Sequence, residues 1–116
     1  MEKSIRLRKN REYTVVYKKG RRYWNHQFTM VVKKNNGPGT RVGFSVNKKY
    51  GNAVERNRIK RQLREIIRLH YDTMKKGYDI ILIPKKNTKE LDYHQLEKSV
   101  KHLFHLGFRP KKKVKK

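Results

Sequence analysis

The chain is 116 residues long, enough for one small domain with a modest core. It carries 33 Lys and Arg against 9 Asp and Glu, a formal charge of +24, so it repels itself unless a polyanion neutralises it. There is no cysteine, which excludes a disulfide framework and a thiolate zinc site. The N-terminus lacks the apolar stretch of a signal peptide, and the longest continuous apolar run, Ile80 to Ile83, is far too short to span a membrane. The expectation is a cytoplasmic protein with a nucleic-acid partner. The hydrophobic fraction, 34%, is low, but the apolar residues are periodic rather than scattered, as in a folded domain with basic ends.

Residues 1–9 are a basic lead-in with little periodicity. Asn10 is placed to cap a short helix in which Tyr13, Val16 and Tyr17 recur at i, i+3 and i+4 before Gly20 stops it. The run Thr14-Val15-Val16 pulls the same segment toward strand. Phe28, Met30 and Val32 alternate with Thr29 and Val31 and predict a strand. Asn35-Asn36-Gly37-Pro38-Gly39 supplies turn chemistry, so an antiparallel pairing with a second strand over Val42, Phe44 and Val46 is expected.

A Gly51-Asn52 turn leads into a basic helix predicted to run to about Met74, with Gly77 ending it. Ile59, Leu63, Ile66, Ile67 and His70 gather on one face of that helix. Asn57, Arg61, Arg64 and Arg68, at i, i+4, i+7 and i+11, form the opposite face. Guanidinium forks grip phosphate in a bidentate way, and only Glu55 and Glu65 interrupt the cations of residues 48–65. A merely solvated face would interleave both signs.

Tyr78 to Ile83 reads as a strand buried on both faces and closed by Pro84. The last helix starts at an Asp92 cap with Gln95 at N3, and Leu91 with Leu96 can staple the entry. Leu96, Val100, Leu103 and Phe104 carry its core stripe, and Gly107 ends it. The single domain is expected to span residues 1–108, with 109–116 a basic tail, disordered without RNA.

Nothing in the chain assembles an active site. A metal-dependent nuclease needs clustered carboxylates, and the acids here are spread along the sequence. His102 and His105 share a helix face, but no third metal ligand is evident. A metal-free nuclease needs two histidines and a lysine held together, and no spacing brings His26, His70, His94, His102 or His105 into such a set. Ser4, Ser45 and Ser99 lack a nucleophile motif. From the residues alone, a structural RNA-binding protein and an architectural DNA-binding protein both stay open, although the wedge arm or dimer zipper of the latter is missing.

The segment Arg41-Val-Gly-Phe-Ser-Val-Asn-Lys-Lys-Tyr-Gly-Asn-Ala-Val-Glu-Arg-Asn-Arg-Ile-Lys-Arg-Gln-Leu-Arg-Glu65 closely resembles the signature of the bacterial ribonuclease P protein component. The likeness extends to Leu7-Arg-Lys-Asn-Arg-Glu-Tyr13, Val16 to Gly20, Gln27-Phe28, the Tyr78 strand and the Leu96…Leu103 helix, nearly the whole chain in the family's order. It implies an α+β fold: a single-domain α/β sandwich with a four-stranded sheet, three helices and a left-handed βαβ crossover. The usual crossover is right-handed, so that last expectation rests on the resemblance alone.

The resemblance also implies a role as a monomeric subunit, one per catalytic RNA. The holoenzyme would remove the 5′ leader of precursor tRNA, with Mg2+ bound by the RNA subunit and the substrate. Lys48, Lys49, Asn52, Arg56, Asn57, Arg58, Lys60, Arg61 and Arg64 match the family's RNA-binding signature, and Arg68 continues the stripe. Tyr13, Tyr17, Phe28 and Phe44 would line a cleft for the single-stranded leader, where a basic groove with aromatic platforms is what single-strand binding requires. For Tyr13 and Tyr17, plain core packing at helical spacing would give the same pattern. Val31 stands where relatives often carry a strand tyrosine.

Overall fold

A computed structural model describes residues 5–108. Its elements follow in the order α1 (Asn10–Lys19), β1 (Arg21–Trp24), β2 (Phe28–Lys34), β3 (Arg41–Phe44), α2 (Ala53–His70), β4 (Tyr78–Pro84) and α3 (Tyr93–Phe108), with short 3₁₀ turns between them. The four strands form one mixed sheet in the order β1-β2-β4-β3. The single-domain α+β fold with three helices is therefore as expected.

The sheet order corrects the expected hairpin. β2 and β3 are not neighbours: β4 lies between them, antiparallel to β2 and parallel to β3. The reason lies in β4 itself, whose Ile80, Ile81 and Leu82 have no exposure and need cover on both faces and both edges. The 35–40 turn therefore hooks over the end of β4. Asn35 takes a bond from its backbone N–H to the Gly77 carbonyl and donates its side-chain amide to Asp79, while Asn36 (φ 60) and Gly77 (φ 89) make the sharp bends.

Register assigns every side chain to a face. Phe28, Met30, Val32, Val42, Ile80 and Leu82 point to one side, where they meet Ile59, Leu63, Ile66 and Ile67 of α2 and Leu96, Val100 and Leu103 of α3. On the other side Val31 and Ile81 meet Val16 of α1 and Leu7, a much smaller cluster. Gly43 lies on that second face, where a Cβ would run into the ring of Tyr13.

Helix ends show where local signals held. Asp92 and Gln95 form the reciprocal cap expected of α3, at 2.9 and 2.8 Å. α3 runs through Gly107 to Phe108, so Gly107 does not stop the helix; it sits instead where a Cβ would press on the terminal methyl of Met30. α1 includes Asn10, which leaves the N-cap position to Lys9, whose side chain makes no capping bond; Glu12 instead closes the helix start by accepting from the N–H groups of Arg8 and Lys9 at 2.8 and 3.0 Å. α2 stops at His70, four residues before Met74. There Thr73 donates its hydroxyl to the His70 carbonyl at 2.9 Å, Tyr71 bonds the Thr40 carbonyl at 2.6 Å, and Met74 turns into the core. The expected tail at 109–116 and the start of the lead-in, residues 1–4, lie outside the described residues.

Candidate nucleic-acid interface

The cations of α2 are presented by a rigid start. Lys48 and Lys49 are exposed on a 3₁₀ turn held by Asn47, whose side chain accepts from the Lys49 N–H at 3.0 Å. The same turn is anchored by buried Tyr50, which shares a 2.8 Å hydrogen bond with Thr88. Asn52 then caps α2 reciprocally with Glu55, both bonds 2.9 Å. Its side-chain oxygen is thus committed to the backbone. Arg56 is half-buried and donates to the Gly51 carbonyl at 2.7 Å, which ties the turn to the helix.

The two acids of this helix are taken out of play locally. The Asn52 N–H, and then Lys89 at 3.5 Å, hold the Glu55 carboxyl below its usual range. Arg68 does the same for Glu65 through a two-pronged pair one turn apart. Arg58, Lys60, Arg61 and Arg64 enter neither pair, and Asn57, Arg58 and Arg61 are exposed. The stripe read from the sequence therefore exists as an outward ridge whose last member, Arg68, is already half-neutralised. Its apolar counterpart is buried as expected, except that His70 sits at the margin and pairs with Glu97 at 2.6 Å.

From this ridge a groove of about 360 Å³ descends past the edge of β3. Lys60 and Arg64 form one wall, Arg6 and Arg8 the other, with Tyr13, Gly43 and Phe44 between them. Arg6 pairs with Val42 in an isolated parallel bridge, and Leu7 donates its N–H to the Val42 carbonyl at 3.1 Å, so the lead-in is pinned against the outer edge of β3. The sequence reading missed this. The available signal was Leu7, a single apolar anchor among cations.

The proposed aromatic cleft needs one correction. Phe28 is 0% exposed and lies beneath α2 and α3, on the opposite face of the sheet from Tyr13 and Tyr17. Its even-numbered register with Met30 and Val32 sends it there, so it lines no cleft. Phe44 shares that inner face but sits at the end of an edge strand, half-buried, and reaches the groove around β3. Tyr13 and Tyr17 pack partly against the Val16–Val31–Ile81 cluster and stay partly open. Burial pushes the Tyr13 hydroxyl up from its ordinary pKa, and Arg22 lies over the Tyr17 ring at 5.7 Å. Val31 is fully buried.

Two further acids, Asp79 and Glu12, are likewise engaged. Arg41 grips Asp79 with two bonds of 3.0 and 2.8 Å and Glu12 with a third of 2.8 Å, tying α1 to the sheet. The backbone N–H groups of Arg8 and Lys9, with Arg41 behind them, bring the Glu12 pKa down to about 2. His102 faces Asn25 at 3.3 Å, whereas His105 lines a different groove with His70 and Lys75. Among the described residues no three His, Asp or Glu side chains stand together as a metal site, and no helix is long and apolar enough to cross a membrane.

Comparison with known proteins agrees with this architecture. The family model for ribonuclease P matches residues 1–106. A ribonuclease P protein component of Finegoldia magna is 61% identical over 103 residues, covering 89% of this chain and 90% of that one. One of Bacillus cereus is 42% identical over 105 residues, covering 90% and 91%. Among solved structures, a Staphylococcus aureus RNase P protein mutant with defective mRNA degradation activity superposes with a TM-score of 0.86 at 37% identity over 93% of this chain and 92% of that one. The RNase P protein of Thermotoga maritima does so with a TM-score of 0.80 at 33% identity, over 85% and 94%. With a family match across nearly its whole length, the chain belongs to the ribonuclease P protein component family, the RNA-binding subunits that partner ribonuclease P RNA in a tRNA-processing endoribonuclease.

Proposed function

We propose that the α2 ridge and the Lys48–Lys49 turn bind the catalytic RNA, and that the groove beside β3 and α1 receives the single-stranded 5′ leader of precursor tRNA. The observation carrying this reading is continuity. Among the described residues, the α2 cations outside the two acid pairs continue into the groove wall, where Lys60 and Arg64 line it together with Arg6, Arg8, Tyr13 and Phe44. Phosphates along a single strand would meet cations on both walls, and bases would meet rings on the floor. Lowering the repulsion between two polyanions is the physical contribution of such a surface.

The magnesium ions of the reaction fit RNA oxygens better than this protein. Glu12 and Asp79 serve Arg41, Glu55 serves the α2 cap, Glu65 serves Arg68 and Glu97 serves His70, and among the described residues no three His, Asp or Glu side chains gather where a divalent ion could sit. The protein's part is to hold and orient the RNAs, and hydrolysis falls to the RNA subunit.

Single-turnover cleavage of precursor tRNA across a magnesium series, with protein alone, RNA alone and both, tests this. Protein should accelerate the RNA most at low magnesium, with the benefit shrinking as magnesium screens the same phosphates. If about six phosphates are neutralised, log K for leader-bearing RNA should fall by about four units per decade of salt. The protein-only arm carries weight, because one structural relative is described by a defect in mRNA degradation. Robust hydrolysis of precursor tRNA by RNA-free protein, or a salt slope near zero, would overturn the reading.

A further inference from the structure

The chain's one tryptophan, Trp24, is 63% exposed at the end of edge strand β1. Such a side chain at a free sheet edge invites aggregation unless something uses it. Its register places it on the α1 side of the sheet: Trp24 pairs with Thr29, which pairs with Ile83. The adjacent row, Arg22–Val31–Ile81–Gly43, is the one α1 covers, with Val16 on Val31 and Ile81 and Tyr13 over Gly43. Beyond α1 the Trp24 row is left half-open, since Thr29 and Ile83 are only partly buried.

Trp24 is held in place and flanked by cations. The β1–β2 turn is closed by Asn25, whose side-chain oxygen accepts from Gln27 and Phe28 while its amide donates to Ser99 of α3 at 2.9 Å. Lys85 donates to the Asn25 carbonyl at 3.0 Å, and Asn87 to that of His26 at 3.1 Å. On the same face, two residues back, Arg22 lies over Tyr17. Two strand residues span about 7 Å, so the Arg22 and Trp24 side chains stand far enough apart for a phosphate and its base to meet both.

Resting on the proposed leader groove, we infer that Trp24 is a stacking platform for a nucleobase of the single-stranded leader, with Arg22 beside it on the strand. β1 and β3 are opposite edges of the sheet, three strand spacings or about 14 Å apart. Trp24 therefore serves nucleotides remote from those at the α2 ridge, and a short leader does not reach it.

The test uses the full-length protein with its RNA subunit, and precursor tRNAs whose leaders are lengthened one nucleotide at a time. The indole is the protein's only tryptophan fluorophore. Its emission should be quenched by long leaders and unchanged by mature tRNA. Trp24→Ala should weaken binding of long-leader precursor by roughly tenfold, the scale of one lost stack. It should leave leaders of one or two nucleotides and mature tRNA unaffected, and Trp24→Phe should restore most of the loss. Thermal melts of the exposed-site variants should match the parent.

Equal affinities for parent and Trp24→Ala across the whole leader series would overturn the inference, as would loss of a protein dimer on substitution. If the parent itself fails to distinguish precursor from mature tRNA, the leader-groove reading falls first and this inference with it.

Discussion

The two faces of one sheet have different fates. The face under α2 and α3 is sealed: helices of 18 and 16 residues cover it, and Phe28, Met30, Ile80 and Leu82 have no exposure. The face under α1 is covered by ten residues, so only the Val31–Ile81 row is closed, while Tyr13, Tyr17 and Ile83 stay partly open. The same alternating strands thus supply a stability core on one side and a usable surface on the other. What separates them is the helix laid over each face, two long helices against one short one, not the composition of the strands.

The largest expected effect separates packing from binding on α2. Leu63 is fully buried, so Leu63→Ala should cost roughly 2–5 kcal/mol of stability through the cavity it leaves. Arg61→Ala and Arg64→Ala should melt with the parent but bind RNA more weakly, each lowering the salt slope by about 0.7. Arginine variants that unfold would mean the ridge and the core stripe have been assigned to the wrong faces.

Tyr17→Ala probes the half-open face. If its ring stacks on a leader base, discrimination between precursor and mature tRNA should drop by about 1–3 kcal/mol, with mature tRNA bound as before. Equal loss for both RNAs, accompanied by a lowered melting temperature, would make Tyr17 an ordinary member of the Val16–Val31–Ile81 cluster.

The smallest effect concerns what fastens α1 over that face. Glu12 has its pKa brought from 4.5 down to about 2 by the Arg8 and Lys9 N–H groups and Arg41. A depressed carboxyl stabilises the fold fully above its unfolded pKa, and that contribution is lost as pH falls through the folded value. Denaturant melts should therefore show parent stability falling between about pH 4.5 and 2 more steeply than that of Glu12→Gln. Parallel curves would show that the tie between α1 and the sheet does not depend on this charge.

Local patterns by themselves determined much of this protein: the two-faced basic helix, the Asp92–Gln95 cap, the doubly buried strand and the surplus of cations that calls for a polyanion. These depend on residues within one or two turns of each other, and period and capping chemistry express them directly. The Arg41–Glu65 segment also identified the family, since its order of residues is specific beyond any propensity. Only the tertiary structure decided which strands are neighbours, that Phe28 faces away from Tyr13, that Leu7 brings Arg6 and Arg8 to the groove, and that Trp24 stands on the uncovered row. Period-two alternation says that a strand has two faces but not which helix covers either. That choice is made by competition among distant elements for the same buried area, with β4's need for cover on every side settling it.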